Sequence, residues 1–154
     1  MQIGVLADTH GYLDPRAIAA LRGVEHILHA GDIGNIAIIT ALEELASVTA
    51  IHGNVDYGTP LARQFPAAQS LMFNDTRIYM THIGDKPERL INALPEPHPD
   101  VYIFGHSHIA LLETHNNVVF LNPGAAGRPR FGGGLSVALL TITSGSATAQ
   151  IVPL

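Results

Sequence analysis

The chain has 154 residues, 47% of them hydrophobic and 14% charged, with a formal net charge of -5 and no cysteine. This length and composition predict one domain spanning residues 1–154, with a core of its own, and exclude a disordered chain. The acidic balance argues against a nucleic-acid groove, and without thiolates any transition-metal site must use His, Asp, Glu or Asn.

No apolar run reaches the roughly 18 residues of a membrane span. Met1 leads into a strand-like run with no basic leader, so the default location is the cytoplasm and no membrane partner is expected. Nine histidines are more than packing alone needs.

Residues 2–7 read as a buried first strand ending in Asp8-Thr9-His10-Gly11. Asp8 and His10 are two apart, so on extended backbone their side chains point the same way and suit one cation; Asp8 reads equally well as a turn or cap residue. Asp14-Pro15 opens a helix with Ile18 and Leu21 facing inward. A second strand, 27–30, delivers Gly31-Asp32, and a helix over 36–45 follows. Taken alone, Asp32 also reads as the cap of that helix. A third strand, 48–51, ends in His52-Gly53-Asn54-Val55-Asp56. Strand, helix, strand, helix, strand is the order of a parallel α/β sheet, whose ligand crevice lies beyond the carboxyl ends of the strands.

Residues 57–66 read as an irregular connection. Strands 69–73 and 77–81 form a hairpin around Asn74-Asp75, delivering His82-Ile83-Gly84. A short helix spans 87–94, and 95–99 is a proline-stiffened connector. Strand 101–104 ends in Gly105-His106-Ser107-His108, two imidazoles spaced to clamp a metal. A second hairpin, 109–114 with 118–121, turns at Asn116-Asn117. The loop 122–130 is glycine-rich and carries Arg128 and Arg130, and strands 135–143 and 147–152 finish the chain.

The strand ends thus carry Asp8, His10, Asp32, Asn54, His82, His106 and His108. Seven mixed oxygen and nitrogen donors exceed one tetrahedral ion and fit two ions sharing a carboxylate. The order Asp-x-His, Gly-Asp, Gly-Asn, His, Gly-His-x-His closely resembles the calcineurin-like metallophosphoesterases, and the Asn-Pro-Gly loop at 122–124 resembles their small phosphodiesterase branch. The resemblance implies an α/β fold, a β-sandwich flanked by helices in four layers, α/β/β/α. It also implies that Asp8, His10 and His108 hold one metal, that Asn54, His82 and His106 hold the other, and that Asp32 bridges them. Manganese, iron, cobalt, nickel or zinc suits such imidazole-rich sites better than magnesium.

The implied reaction is phosphodiester hydrolysis by a water shared between the metals, attacking in line, with Asp32 and Asn54 catalytic. Asn54, Arg128 and His52 are candidate substrate contacts, and a surface role suits Arg128 as well and Arg130 better. Tyr12, Tyr57 and Phe131 are too few to argue for base stacking. Many family members have His directly after Gly-Asn to protonate the leaving group. Val55 stands there in this chain, which favours activated or diester substrates. Two other readings remain: a protein-interaction scaffold, as in the retromer subunit of this fold, and a nuclease. The family resemblance allows a homo-oligomer.

Overall fold

The computed structural model of the chain describes residues 1–129 and 133–154. Strands β1 (Gln2–Leu6), β2 (His26–His29) and β3 (Ser47–Ala50) alternate with helices α1 (Pro15–Ala20) and α2 (Ile36–Glu43). Helix α3 (Leu61–Gln64) precedes the hairpin β4 (Ala68–Phe73) and β5 (Thr76–Ile83). Helix α4 (Pro87–Leu90) runs into a 3-10 turn over Ile91–Ala93. Strands β6 (Val101–Gly105), β7 (Leu111–His115), β8 (Val118–Asn122), β9 (Ser136–Thr143) and β10 (Ser146–Pro153) complete the order.

Two five-stranded mixed sheets result, ordered β10-β9-β1-β2-β3 and β4-β5-β6-β8-β7. β1, β2 and β3 are mutually parallel, as are β5, β6 and β8, with antiparallel strands outside. The sheets pack on one apolar layer that includes Ile3, Val5, Leu28, Met80, Ile103 and Leu140. Leu6, Ala17, Leu21, Ile39 and Leu42 form a second layer under α1 and α2. Leu90, Ile91, Tyr102, Phe104 and Phe120 form a third under α4. The architecture is α/β/β/α. Among the described residues no helix is long and apolar enough to cross a membrane.

Local chemistry sets the element ends. Asp14 caps α1 by accepting from the Arg16 amide, with Pro15 at the first helical position. The cap of α2 is Asn35, which accepts from the Ala37 amide, so Asp32 is left for another use. The hairpin turn at Asn116-Asn117 has both residues at positive φ, 49° and 64°, as a type I′ turn demands.

Several elements differ from the sequence-based expectation. Ala17 and Leu21, one turn apart, face the core, and Ile18 is only half-buried because so short a helix presents a single inward row. Helix α2 stops at Glu43, two residues early. The connection after Asn54 contains a 3-10 turn over Asn54–Asp56 as well as α3. β7 begins at Leu111, leaving Ile109 68% exposed in the preceding loop. β5 runs through Ile83, and its register against β6 shifts between Met80 and Ile83.

His29, the last residue of β2, is fully buried. The Gly31 amide donates to its Nδ1 at 3.2 Å, so the proton sits on Nε2, which donates to Thr9 Oγ1 at 3.0 Å. The Thr9 hydroxyl in turn donates to the Ile33 carbonyl at 3.0 Å. Burial pushes the His29 pKa down from 6.5 to about 4. Between those values the unfolded chain binds a proton that the folded chain refuses, so stability falls as pH falls. In metal-free protein this residue alone should cost about 3 kcal/mol by pH 4. Denaturant titrations at pH 7 and pH 4.5 should show a smaller loss for His29→Gln than for the parent. An equal loss in both would contradict the assignment.

Candidate metal centre

The carboxyl ends of β1, β2, β3, β5 and β6 meet at one rim of the sandwich, and that rim gathers the seven polar residues of the strand-end motifs. Five of them hold their backbone in the left-handed region: Asp8 (φ 56°), His10 (49°), Asp32 (55°), His106 (70°) and His108 (59°). Among the described residues the other non-glycine cases are Asn74, Asn116 and Asn117, all in hairpin turns where asparagine tolerates this geometry. Left-handed backbone on Asp or His costs on the order of 1 kcal/mol or more and persists only where the surroundings impose it. Here it turns a side chain back over the strand end within one to four residues.

Hydrogen bonds between loops impose it. The Asp8 amide donates to Gly31 O at 3.1 Å, His10 to Asp32 O at 2.9 Å and Gly11 to Ile33 O at 2.8 Å. Buried Asn122 donates from Nδ2 to Gly105 O at 2.9 Å and accepts from the Gly124 amide at 2.9 Å, tying the His106–His108 loop to the glycine-rich loop. Close approach to the two carboxylates requires glycine at Gly53 and Gly105. A Cβ on Gly53 would strike the Asp32 carboxylate, and one on Gly105 would stand 2.9 Å from Asp8 Oδ2.

The seven residues fall into two neighbouring groups. In the first, Asp8 Oδ1 lies 3.3 Å from His108 Nε2 and 3.8 Å from His10 Nε2, and the two imidazole nitrogens are 3.1 Å apart. In the second, Asp32 Oδ1 lies 3.2 Å from His82 Nε2, and His106 Nδ1 is 3.0 Å from Asn54 Oδ1. The carboxylate and imidazole donors of each group lie within 4.8 Å of one another. Asp32 faces both, its Oδ2 standing 3.7 Å from His10 Nε2 in the first. The His106 amide donates to Asp8 Oδ2 at 3.0 Å, a further link between the groups.

The donor chemistry fits a cation. His82 Nδ1 is 2.8 Å from the Ala30 carbonyl, which only accepts, so Nδ1 carries the proton. Buried Nε2 makes no hydrogen bond and turns its lone pair toward the Asp32 carboxylate, an arrangement that a metal ion or a second proton satisfies. In the metal-free protein, burial opposes charge on both partners, and their mutual contact overcomes it. The Asp32 carboxyl is held below its ordinary range by His82 and the Val55 amide, and the His82 imidazole is raised by Asp32 and Ala30 O.

The remaining candidates lie around this centre. His52 is buried, its ring 5.0 Å from that of Tyr57, and lines a cavity of about 200 Å³ with Asn54, His82 and Ile83. The guanidinium of exposed Arg128 sits 4.8 Å from the centroid of the Tyr12 ring, two residues beyond His10. Gly84 lies against the Phe104 ring, leaving Ile83 58% exposed beside His82. Arg130 and Phe131 lie outside the described residues. Thr9, His29, Asp56 and Asn122, all fully buried beneath the centre, were not among the expected site residues. Of these only His29 carried a signal, a polar residue inside the apolar run Ile-Leu-His-Ala.

His106 separates backbone strain from ligation, since its side chain is exposed while its φ is 70°. Both His106→Gly and His106→Ala delete the imidazole, and only glycine relaxes the backbone. The metal-free glycine variant should be more stable than the alanine variant by about 1 kcal/mol in denaturant melts. Equal stabilities would contradict the strain assignment.

Comparison with known proteins identifies the family of the chain. The family model described as the calcineurin-like phosphoesterase superfamily domain matches residues 1–145. A probable metallophosphoesterase of Methanothermobacter thermautotrophicus is 35% identical over 166 residues, covering 99% of this chain and 92% of that one. The structure of a novel archaeal phosphodiesterase superposes with a TM-score of 0.78 at 25% identity, covering 99% of this chain and 100% of the other. Vps29 of Chaetomium thermophilum superposes with a TM-score of 0.80 at 16% identity, covering 100% and 97%, and shares the fold. The chain belongs to the calcineurin-like phosphoesterase superfamily, whose members use divalent metals, and its activity class is that of a metal-dependent phosphoesterase.

Proposed function

We propose that this protein is a phosphodiesterase acting on small diesters through a dinuclear centre, with water displacing the leaving group in line. The observation that carries the reading is the placement of Asp32, whose two oxygens face different donor groups, 3.2 Å from His82 Nε2 and 3.7 Å from His10 Nε2. Asp8, His10 and His108 would hold one ion, and Asn54, His82 and His106 the other, with Asp32 shared. When bound, such a pair of cations lowers the pKa of a shared water and neutralises charge developing on phosphoryl oxygens.

The residues of the chain divide the rest of the work. The Val55 amide donates to Asp32 Oδ1 at 3.0 Å and fixes the plane of the shared carboxylate. The Asn54 amide, half ligand and half donor, can give its N–H to a phosphoryl oxygen as charge builds there. Arg128, over the ring of Tyr12 two residues beyond His10, would act as a second clamp on phosphate. Val55 offers no proton to a leaving group and is 42% exposed beside Tyr57, so leaving groups that depart as stable anions are favoured. The cavity lined by His52, Asn54 and His82 would be the adjoining seat for that group. The similarity to an archaeal phosphodiesterase supports the diester preference.

The test is hydrolysis of bis(p-nitrophenyl) phosphate by metal-stripped protein, with manganese, nickel, zinc and magnesium added singly. Turnover should return with a transition metal, and Asp32→Ala should lose at least about a thousandfold, or about 4 kcal/mol. No turnover despite bound metal would favour the scaffold reading, and faster hydrolysis of p-nitrophenyl phosphate would overturn the diester preference. Arg128→Ala should raise KM about tenfold with little change in kcat, a loss of uniform binding. An unchanged KM would remove Arg128 from the site.

A further inference from the structure

Asp56 is a fully buried carboxylate, and no Lys or Arg pairs with it among the described residues. Its Oδ2 accepts from the Ile33 amide at 3.0 Å and the Gly53 amide at 2.8 Å, and its Oδ1 accepts from the Gly34 amide at 2.8 Å. Burying a carboxylate is costly unless such bonds replace its hydration, and charge-assisted bonds are the strong kind. A capping role would account for Gly53 alone, three residues away. Ile33 and Gly34 belong to another loop, 23 and 22 residues away.

These partners flank the ligands. Ile33 and Gly34 follow Asp32, and Gly53 precedes Asn54. The turn that Asp56 closes also carries the Val55 amide, which donates to Asp32 Oδ1 at 3.0 Å. Gly34 (φ 77°) in turn lies so close to the His10-Gly11 backbone that an added Cβ would stand 2.5 Å from Gly11 N. One carboxylate therefore sets the spacing of the Asp32 and Asn54 loops and orients the face of Asp32. With both its oxygens on backbone N–H groups and its side chain in neither donor group, it is not itself a ligand.

We infer that Asp56 is the positioning residue that fixes Asp32 and Asn54 for the second metal position, an inference resting on the two-metal reading above. Asp56→Asn leaves one oxygen and turns an NH2 group on at least one backbone N–H. Asp56→Glu keeps the charge and displaces it by a methylene, which separates position from charge.

Manganese titration calorimetry and electron paramagnetic resonance on the full chain read this without turnover. The parent should bind two manganese ions with exchange coupling between them. Both variants should keep the parent circular dichroism and bind one ion within threefold of the parent affinity. The other ion should weaken at least tenfold, with coupling lost. For the diester, kcat should fall at least tenfold at fixed metal and recover as manganese is raised, with KM changed less than threefold.

Two coupled ions in the variants at parental affinity would overturn the inference, as would parental behaviour of Asp56→Glu alone, which would make the effect one of charge. If Asp56→Asn does not fold, Asp56→Glu decides. If neither folds, Asp56 is a folding element and the inference fails. A parent that binds a single ion would instead defeat the two-metal reading on which it rests.

Discussion

The structure depends on holding the candidate metal-binding side chains where the backbone alone would not put them. Asp8, His10, Asp32, His106 and His108 all adopt left-handed backbone, a conformation that favours glycine, and none of them is glycine. Beneath them lies a layer of uncharged and charged polar groups with no solvent access, Thr9, His29, Asp56 and Asn122, each bonded to backbone or side chain of a neighbouring loop. Strain above and buried hydrogen bonds below belong to one arrangement, since the strain persists only where its surroundings impose it.

The sandwich explains why the ligands can meet. Asp8, Asp32 and Asn54 follow strands of the first sheet, while His82, His106 and His108 belong to strand ends of the second. The separation of the two donor sets is therefore set by the apolar layer between the sheets, through Val5, Ala7, Ala30, Met80 and Ile103. Interiors packed at crystal density resist compression, which makes that layer a ruler as well as a source of stability. The small residues Ala7 and Ala30 near the rim allow the sheets to approach where Gly105, at the end of β6, faces them.

Much of this was legible in the sequence, for physical reasons. Ligand types at the ends of apolar runs gave the rim, because a buried strand has to end where polar residues begin. Asn116-Asn117 gave a hairpin because side-chain amides tolerate positive φ. The rest depends on partners distant in the chain. Nothing near Asp56 indicates that two of its three donors lie at Ile33 and Gly34. The inward row of α1 hinged on whether Ala17 or Ile18 faces the core, a question of docking rather than periodicity. Residues 57–66 lacked enough apolar period to reveal so short a helix as α3.

The position of β1 has a consequence for how the chain assembles. This strand is the middle of its sheet, paired in parallel with β2 on one side and antiparallel with β9 on the other, Gln2 facing Thr141. The Met1 ammonium is likewise bonded to Ile142 O at 3.0 Å. During synthesis, β1, β2 and β3 emerge early as a three-stranded fragment with an open edge on β1. That edge closes only when β9 has left the ribosome. An uncovered edge of this kind recruits other strands, so β1 stays exposed to mispairing until β9 arrives. The first sheet, and with it half of the ligand rim, is thus a late product of translation.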